Sequence, residues 1–196
     1  ALGQFFEKAR KEPYFKDTLF VVVGDHGFGS PEQLSDIDLY RFHVPMLLIG
    51  PGVQEKFGAR NDIAGTQLDV VPTIMGRLGG EVQHQCWGRD LLSLDASDQG
   101  FGVVKPSGSD QTVALVSGSR LLVLPRDGAP KLYDYRLHER AGVDRVQDEQ
   151  GVAELLPRLQ SFLQVATRSL LDNTAGVADG PAAGSLAQAP ASRKDE

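Results

Sequence analysis

A chain of 196 residues with 41% hydrophobic content is long enough to bury one substantial core, and it predicts a globular protein with one main domain. A formal charge of −6, with no basic block before the short Arg193-Lys194 pair, argues against a nucleic-acid-binding surface, because phosphate backbones recruit Lys and Arg. The single cysteine, Cys86, can form no intramolecular disulfide, and no apolar run approaches the roughly 20 residues of a membrane-spanning helix, so the chain by itself is expected to be soluble.

Leu2, Phe5, Phe6 and Ala9 recur at helical spacing between charges, and Pro13 stops the pattern, which predicts a helix over 2–11 packing under the strand that follows. Leu19 to Val23 is a short apolar run rich in β-branched residues, read as a fully buried parallel strand that stops at Gly24. Helix, turn and buried strand form the second half of a βαβ unit, so the chain is expected to be cut from something longer, with the first half of the sheet elsewhere. The loop from Phe28 to Tyr40 is rich in Gly, Ser, Pro and Asp, and its length suggests that it borders a site. Val44 to Ile49 is a second buried strand ended by Gly50-Pro51-Gly52.

Thr66 to Leu78 predicts a helix with Asp69 as N-cap, Pro72 in its first turn and Gly79-Gly80 closing it. Val71, Ile74, Met75 and Leu78 would form its buried stripe. From Gly102 the pattern changes to short strands, 112–116 and 120–124 joined by Ser117-Gly118-Ser119, then 131–135, which predicts an antiparallel hairpin or meander. Residues 152–171 return to helical spacing through Leu155, Leu156, Leu159, Phe162, Leu163, Ala166 and Leu170, a stripe read as core packing. The tail from Ala175 has hardly any large apolar residue and is expected to be disordered. The expected organisation is an α/β core over 1–100, a small antiparallel β subdomain with a C-terminal helix over 101–174, and the tail over 175–196.

Asp25 and His26 follow the first strand directly, at the carboxyl end where open α/β sheets collect ligands. A carboxylate and a neutral imidazole are both good ligands for zinc or manganese, and the turn fixes their directions. The same two residues also fit an ordinary turn with a hydrogen-bonded Asp and a surface His. His43 opens the second strand, where it could hold a second cation, donate to a substrate phosphate, or simply bond a backbone carbonyl. Arg41 could neutralise a phosphate or stand solvated at the end of the loop. His84 and His138 read as surface residues, and Asp69 as a helix cap.

The run Phe20-Val21-Val22-Val23-Gly24-Asp25-His26-Gly27, followed by His43-Val44-Pro45-Met46-Leu47-Leu48-Ile49-Gly50-Pro51-Gly52, resembles the alkaline phosphatase and sulfatase superfamily. Gln67-Leu68-Asp69-Val70-Val71-Pro72-Thr73-Ile74 and Gly88-Arg89-Asp90-Leu91-Leu92 follow in the family's order and strengthen the match. Lys131-Leu132-Tyr133-Asp134 looks like the Leu-Tyr-Asp of the small C-terminal subdomain of many sulfatase-like proteins. The resemblance implies the C-terminal portion of an alkaline phosphatase-like α/β/α sandwich. It implies a divalent metal, Mn or Zn with Mg as a third candidate, held by Asp25 and His26, and a substituted phosphoryl group transferred with its help.

Phe28 to Phe42 contains no Lys of the kind arylsulfatases place there, and Phe28 stands where phosphoethanolamine transferases tend to carry Glu. Tyr40-Arg41-Phe42-His43-Val44-Pro45 is instead similar to the lipoteichoic acid synthase group, which makes His43 and Arg41 the expected substrate-binding residues. The implied parent is a phosphoglycerol transferase acting on a lipid or glycan head group at the extracytoplasmic face of the membrane, to which its own N-terminal helices attach it. The family's nucleophile lies upstream and has no matching position here, so no catalytic nucleophile is assigned. Cys86 stands outside a nucleophile motif and is expected to pack beside Trp87. A sulfatase or phosphodiesterase of the same superfamily is the second enzyme reading, and a non-catalytic binding or structural module is the alternative of another class. Oligomeric state is not legible.

Overall fold

The computed structural model describes residues 1–29, 35–80, 84–106, 111–136 and 142–174; the expected disordered tail and His138 lie outside the described residues. Helix α1 (Leu2–Ala9) buries Phe6 and Ala9. Phe5 and Phe6 meet Phe20 edge-on, with ring centroids 6.0 and 5.4 Å apart, a geometry that aligns ring edge with ring face. That aromatic contact seats α1 beside strand β1 (Phe20–Val23), as the helical spacing of its apolar residues requires.

Strand β1 pairs with β2 (Met46–Ile49), Phe20 opposite Ile49 and Val23 opposite Met46, and the pairing is antiparallel. The expectation of a fully buried parallel strand is thereby corrected: no residue of β1 is fully buried, and Val23 is exposed. The reason lies in the connection. Parallel neighbours need a crossover, usually a helix, whereas the described part of the segment after β1 holds only the short 3-10 turn Leu39–Arg41 and returns the chain alongside β1. A short helix not foreseen from the sequence, α2 (Val53–Phe57), follows the Gly-Pro-Gly turn.

The expected helix over 66–78 divides into a 3-10 turn, Gln67–Asp69, and α3 (Val70–Leu78), ended by Gly79 and Gly80 at φ 78° and 84°. Its predicted stripe holds only in part, with Ile74 and Met75 half-buried. Pro72 and Thr73 are the buried residues, while Val71 and Leu78 are exposed. Polar pairing with the 88–92 segment selects that face. The Thr73 hydroxyl donates to Asp69 O at 2.7 Å and accepts the Leu91 N–H at 3.0 Å, and Arg77 Nη2 meets Asp90 Oδ2 at 2.8 Å. Cys86 is exposed rather than packed; it is Trp87 that turns inward, edge-on to Phe162.

Five strands follow in sequential order: β3 (Gly102–Val104), β4 (Val113–Ser117), β5 (Arg120–Leu124), β6 (Lys131–Arg136) and β7 (Gly142–Val146). All pairings are antiparallel, as the hairpin pattern predicts. Gly118, at φ 55°, occupies the first central position of the two-residue turn closed by Ser117 opposite Arg120, the conformation that primed hairpin turns demand. Alternation sends Val113, Leu115, Leu122 and Leu132 to one face, where Leu155 and Leu159 of α4 (Glu149–Leu171) cover them. The opposite face, with Val104, Ala114, Leu121, Val123 and Tyr133, is covered by Ile37 and Leu39 from the segment after β1.

The Tyr135 hydroxyl donates to Gly118 O at 2.6 Å, and burial pushes its phenol above the ordinary 10.0. Tyr133 moves the same way, first through burial and then through Asp36. A raised pKa in the folded state means that the unfolded chain ionises first. This contribution is therefore complete below about pH 10 and is lost as pH rises through the folded value. Thermal melts are expected to hold level to about pH 10 and fall beyond it, with a shallower fall in Tyr135→Phe. At pH 7 that variant should cost about 1 kcal/mol for the lost hydrogen bond. Identical alkaline profiles for the two proteins would refute the assignment.

Candidate functional site

Where β1 ends, three contacts hold the following turn. Gly24 N–H donates to Pro45 O at 3.2 Å, which extends the β1–β2 ladder by one step. Gln67 Nε2, reaching across from the 3-10 turn, donates to Gly24 O at 2.7 Å and to Asp25 O at 3.1 Å. Gly27 N–H donates to Arg41 O at 2.9 Å. A Cβ on Gly27 would run into the carbonyl oxygens of Tyr40 and His43, so only glycine allows these two segments to touch.

The turn presents Asp25 and His26 to solvent. Asp25 Oδ1 accepts the His26 N–H at 3.0 Å. His26 Nδ1 lies 3.0 Å from Gly27 O, and since a carbonyl only accepts, the ring proton sits on Nδ1. In the neutral ring this leaves the lone pair on Nε2, 3.9 Å from Asp25 Oδ2. Two ligand atoms about 2.1 Å from a tetrahedral cation stand about 3.4 Å apart, so a shared cation would draw these two exposed side chains slightly together from 3.9 Å. Their donor chemistry, a carboxylate oxygen and an imidazole nitrogen whose ring partner bonds a backbone carbonyl, suits a divalent cation. Among the described residues no group of three or more His, Cys, Asp or Glu gathers at one point.

The turn brings the backbone of residues 40–43 alongside, with His43 N–H donating to Tyr40 O at 3.3 Å. Arg41 Nε lies 3.4 Å from Asp38 Oδ2, and its side chain is otherwise largely exposed. All four residues singled out from the sequence therefore belong to one turn and the segment packed on it. His84 stands apart, exposed, its Nδ1 accepting the Cys86 N–H at 3.2 Å.

Asp69, only 2% exposed, builds the frame that carries Gln67. Its Oδ2 accepts the Thr66 N–H at 2.7 Å and its Oδ1 the Arg89 N–H at 2.6 Å, with Arg89 Nε at 3.5 Å. The expected N-cap role is corrected: Asp69 is the N3 residue of a capping box whose N-cap is Thr66, and at the start of α3 its side chain makes no capping bond. Arg89 continues to Phe101, donating to its carbonyl at 2.8 Å and lying 4.0 Å over its ring. The Gln67 clamp and the Asp38 tether escaped sequence reading. Gln67 lies inside a recognised motif, but its hydrogen-bond partners are more than 40 residues away in the chain.

A sulfatase family model matches residues 1–80. The multifunctional alkaline phosphatase superfamily protein PehA of Trinickia caryophylli is 32% identical over 99 residues, 46% of this chain and 18% of PehA. The lipoteichoic acid synthase-like YvgJ of Bacillus subtilis is 29% identical over 109 residues, 48% of this chain and 18% of YvgJ. The matched region is thus less than a fifth of the length of either relative. A crystal structure of an alkaline phosphatase superfamily protein from Vibrio parahaemolyticus superposes with a TM-score of 0.72 at 23% identity, covering 90% of this chain and 41% of that one. That coverage extends the shared α/β fold to the antiparallel subdomain and the C-terminal helix. The likeness shows the fold this chain shares with that protein, and the sulfatase match covers the first 80 residues, where the Gly-Asp-His-Gly and Val-Pro motifs flank adjacent strands.

Proposed function

We propose that this chain is the C-terminal part of the catalytic domain of a metal-dependent phosphoglycerol transferase acting on lipid or glycan head groups outside the cytoplasm. The observation that carries the reading is the Asp25–His26 pair, with Oδ2 and Nε2 3.9 Å apart on a turn fixed by Gln67 and residues 40–45. Asp25 and His26 hold the cation; Mn or Zn suits a carboxylate–imidazole pair, and Mg is the third candidate. When bound, such a cation draws charge from the phosphoryl oxygens. Arg41 adds a positive charge beside the turn, and His43 offers a ring N–H to the phosphate. His43 directly before Val44-Pro45, together with the similarity to YvgJ, favours a phosphoglycerol substrate. The nucleophile and the remaining ligands belong in this reading to the parent protein outside this chain, as do membrane helices; no helix among the described residues is long and apolar enough to cross a membrane.

A sulfatase or phosphodiesterase is the second reading, favoured by the similarity to PehA and by the family match. The identity of the upstream nucleophile separates the two. Calorimetric titration of the chain with Mn²⁺ tests the metal pair. Binding is expected to be weak, because two protein ligands leave the rest of the coordination shell to water, and Asp25→Ala or His26→Ala should weaken it at least about tenfold. Tight binding that survives Asp25→Ala would put the cation elsewhere and refute the reading.

A further inference from the structure

The segment 35–43 is anchored at both ends. Ile37 and Leu39, 2% and 6% exposed, sit among Val104, Ala114, Leu121, Val123 and Tyr133 on the sheet face that α4 leaves open. Beside them Lys131 Nζ on β6 donates to Asp36 Oδ2 at 2.7 Å. Ser35 Oγ accepts the Ile37 N–H at 3.3 Å and so shapes the approach to the sheet. At the other end, the carbonyl of Arg41 accepts the Gly27 N–H, and the carbonyl of His43 lies against the same glycine. Only Tyr40, Arg41 and Phe42 separate the buried Leu39 from His43, and the 3-10 turn takes up most of that length. A displacement of Leu39 in the sheet therefore has little slack chain to absorb it before it reaches the Asp25–His26–Gly27 turn.

We propose that the five-stranded sheet positions the Asp25–His26 centre. The Ile37–Leu39 plug carries the anchoring strength, because both side chains leave water completely or nearly so. The Asp36–Lys131 pair is partly exposed, so it sets the register of the segment more than its stability. Together they determine where His43 and Arg41 stand relative to the metal pair. This rests on the function proposed above: Ile37, Leu39 and Lys131 are positioning residues that touch neither substrate nor metal, and the subdomain acts on the site through one short segment.

The test uses the full chain and two NMR readouts. The first, without metal, is exchange of the Gly27 amide. Leu39→Ala is expected to speed it at least tenfold and Lys131→Met about two- to fivefold, beyond any change in the β5 amides. Leu39→Met and Lys131→Arg should stay near wild type. The second is Mn²⁺-induced broadening of the imidazole signals. In Lys131→Met the His43 broadening should change relative to His26 while His26 itself keeps its wild-type response; a general loss of structure would move both. Unchanged Gly27 exchange and an unchanged His43-to-His26 ratio in Lys131→Met overturn the proposal, and that variant decides the matter if Leu39→Ala does not fold. Absence of His26 broadening in the wild-type chain would overturn the metal assignment alone, since the Gly27 readout needs no metal.

Discussion

Replacing Asp69 with alanine is expected to cost about 3–5 kcal/mol of stability, the size of effect seen when one partner of a buried charged pair is removed. The carboxylate is 2% exposed and accepts two short backbone bonds, from Thr66 N–H at 2.7 Å and Arg89 N–H at 2.6 Å, with Arg89 Nε close by. Alanine leaves both part-buried donors without their acceptor and the guanidinium without its counter-charge, and these costs add to the lost bonds themselves. Asparagine retains one acceptor oxygen but turns an N–H₂ toward a second donor, so it should recover only part of the loss. Urea unfolding of the two variants measures this; a loss under about 1 kcal/mol for Asp69→Ala would mean that the network carries little weight. Because the same turn holds Gln67, the alanine variant should also loosen the backbone of Gly24 and Asp25.

Leu159→Ala is expected to cost about 2–5 kcal/mol, the range for truncating a leucine in a core that cannot collapse around the gap. Leu159 is fully buried and sits with Leu155 against Val113, Leu115, Leu122 and Leu132, so the gap would open between α4 and the middle of the sheet. Neighbouring strands are locked by their ladders and cannot close it. Leu170, expected in the buried stripe, is instead 64% exposed at the end of the same helix and provides the control: its alanine variant should stay within about 0.5 kcal/mol of wild type. Equal losses at the two positions would show that α4 does not pack on the sheet through this face. The helix itself runs on through Pro157, which tertiary packing tolerates despite the missing N–H.

The sequence by itself determined what depends on neighbours along the chain. The runs that became β1, β2, β5 and β6, the helical spacing of α1 and α4, the glycines ending α3 and the turn at Gly118 are all local patterns, and each formed close to its expected place. The motif order from Phe20 to Leu92 was equally legible, since it needs only residue identities and separations. Tertiary structure alone decided the rest. Whether β1 meets β2 parallel or antiparallel depends on the path of the intervening chain, which composition does not encode. The face α3 buries was chosen by Thr73 and Asp69 bonding to residues 89–91, a polar preference that a count of apolar positions misses. The Gln67 clamp and the Asp36–Lys131 pair join residues 42 and 95 positions apart, far beyond any periodicity, and they exist only because folding has already brought their backbones together.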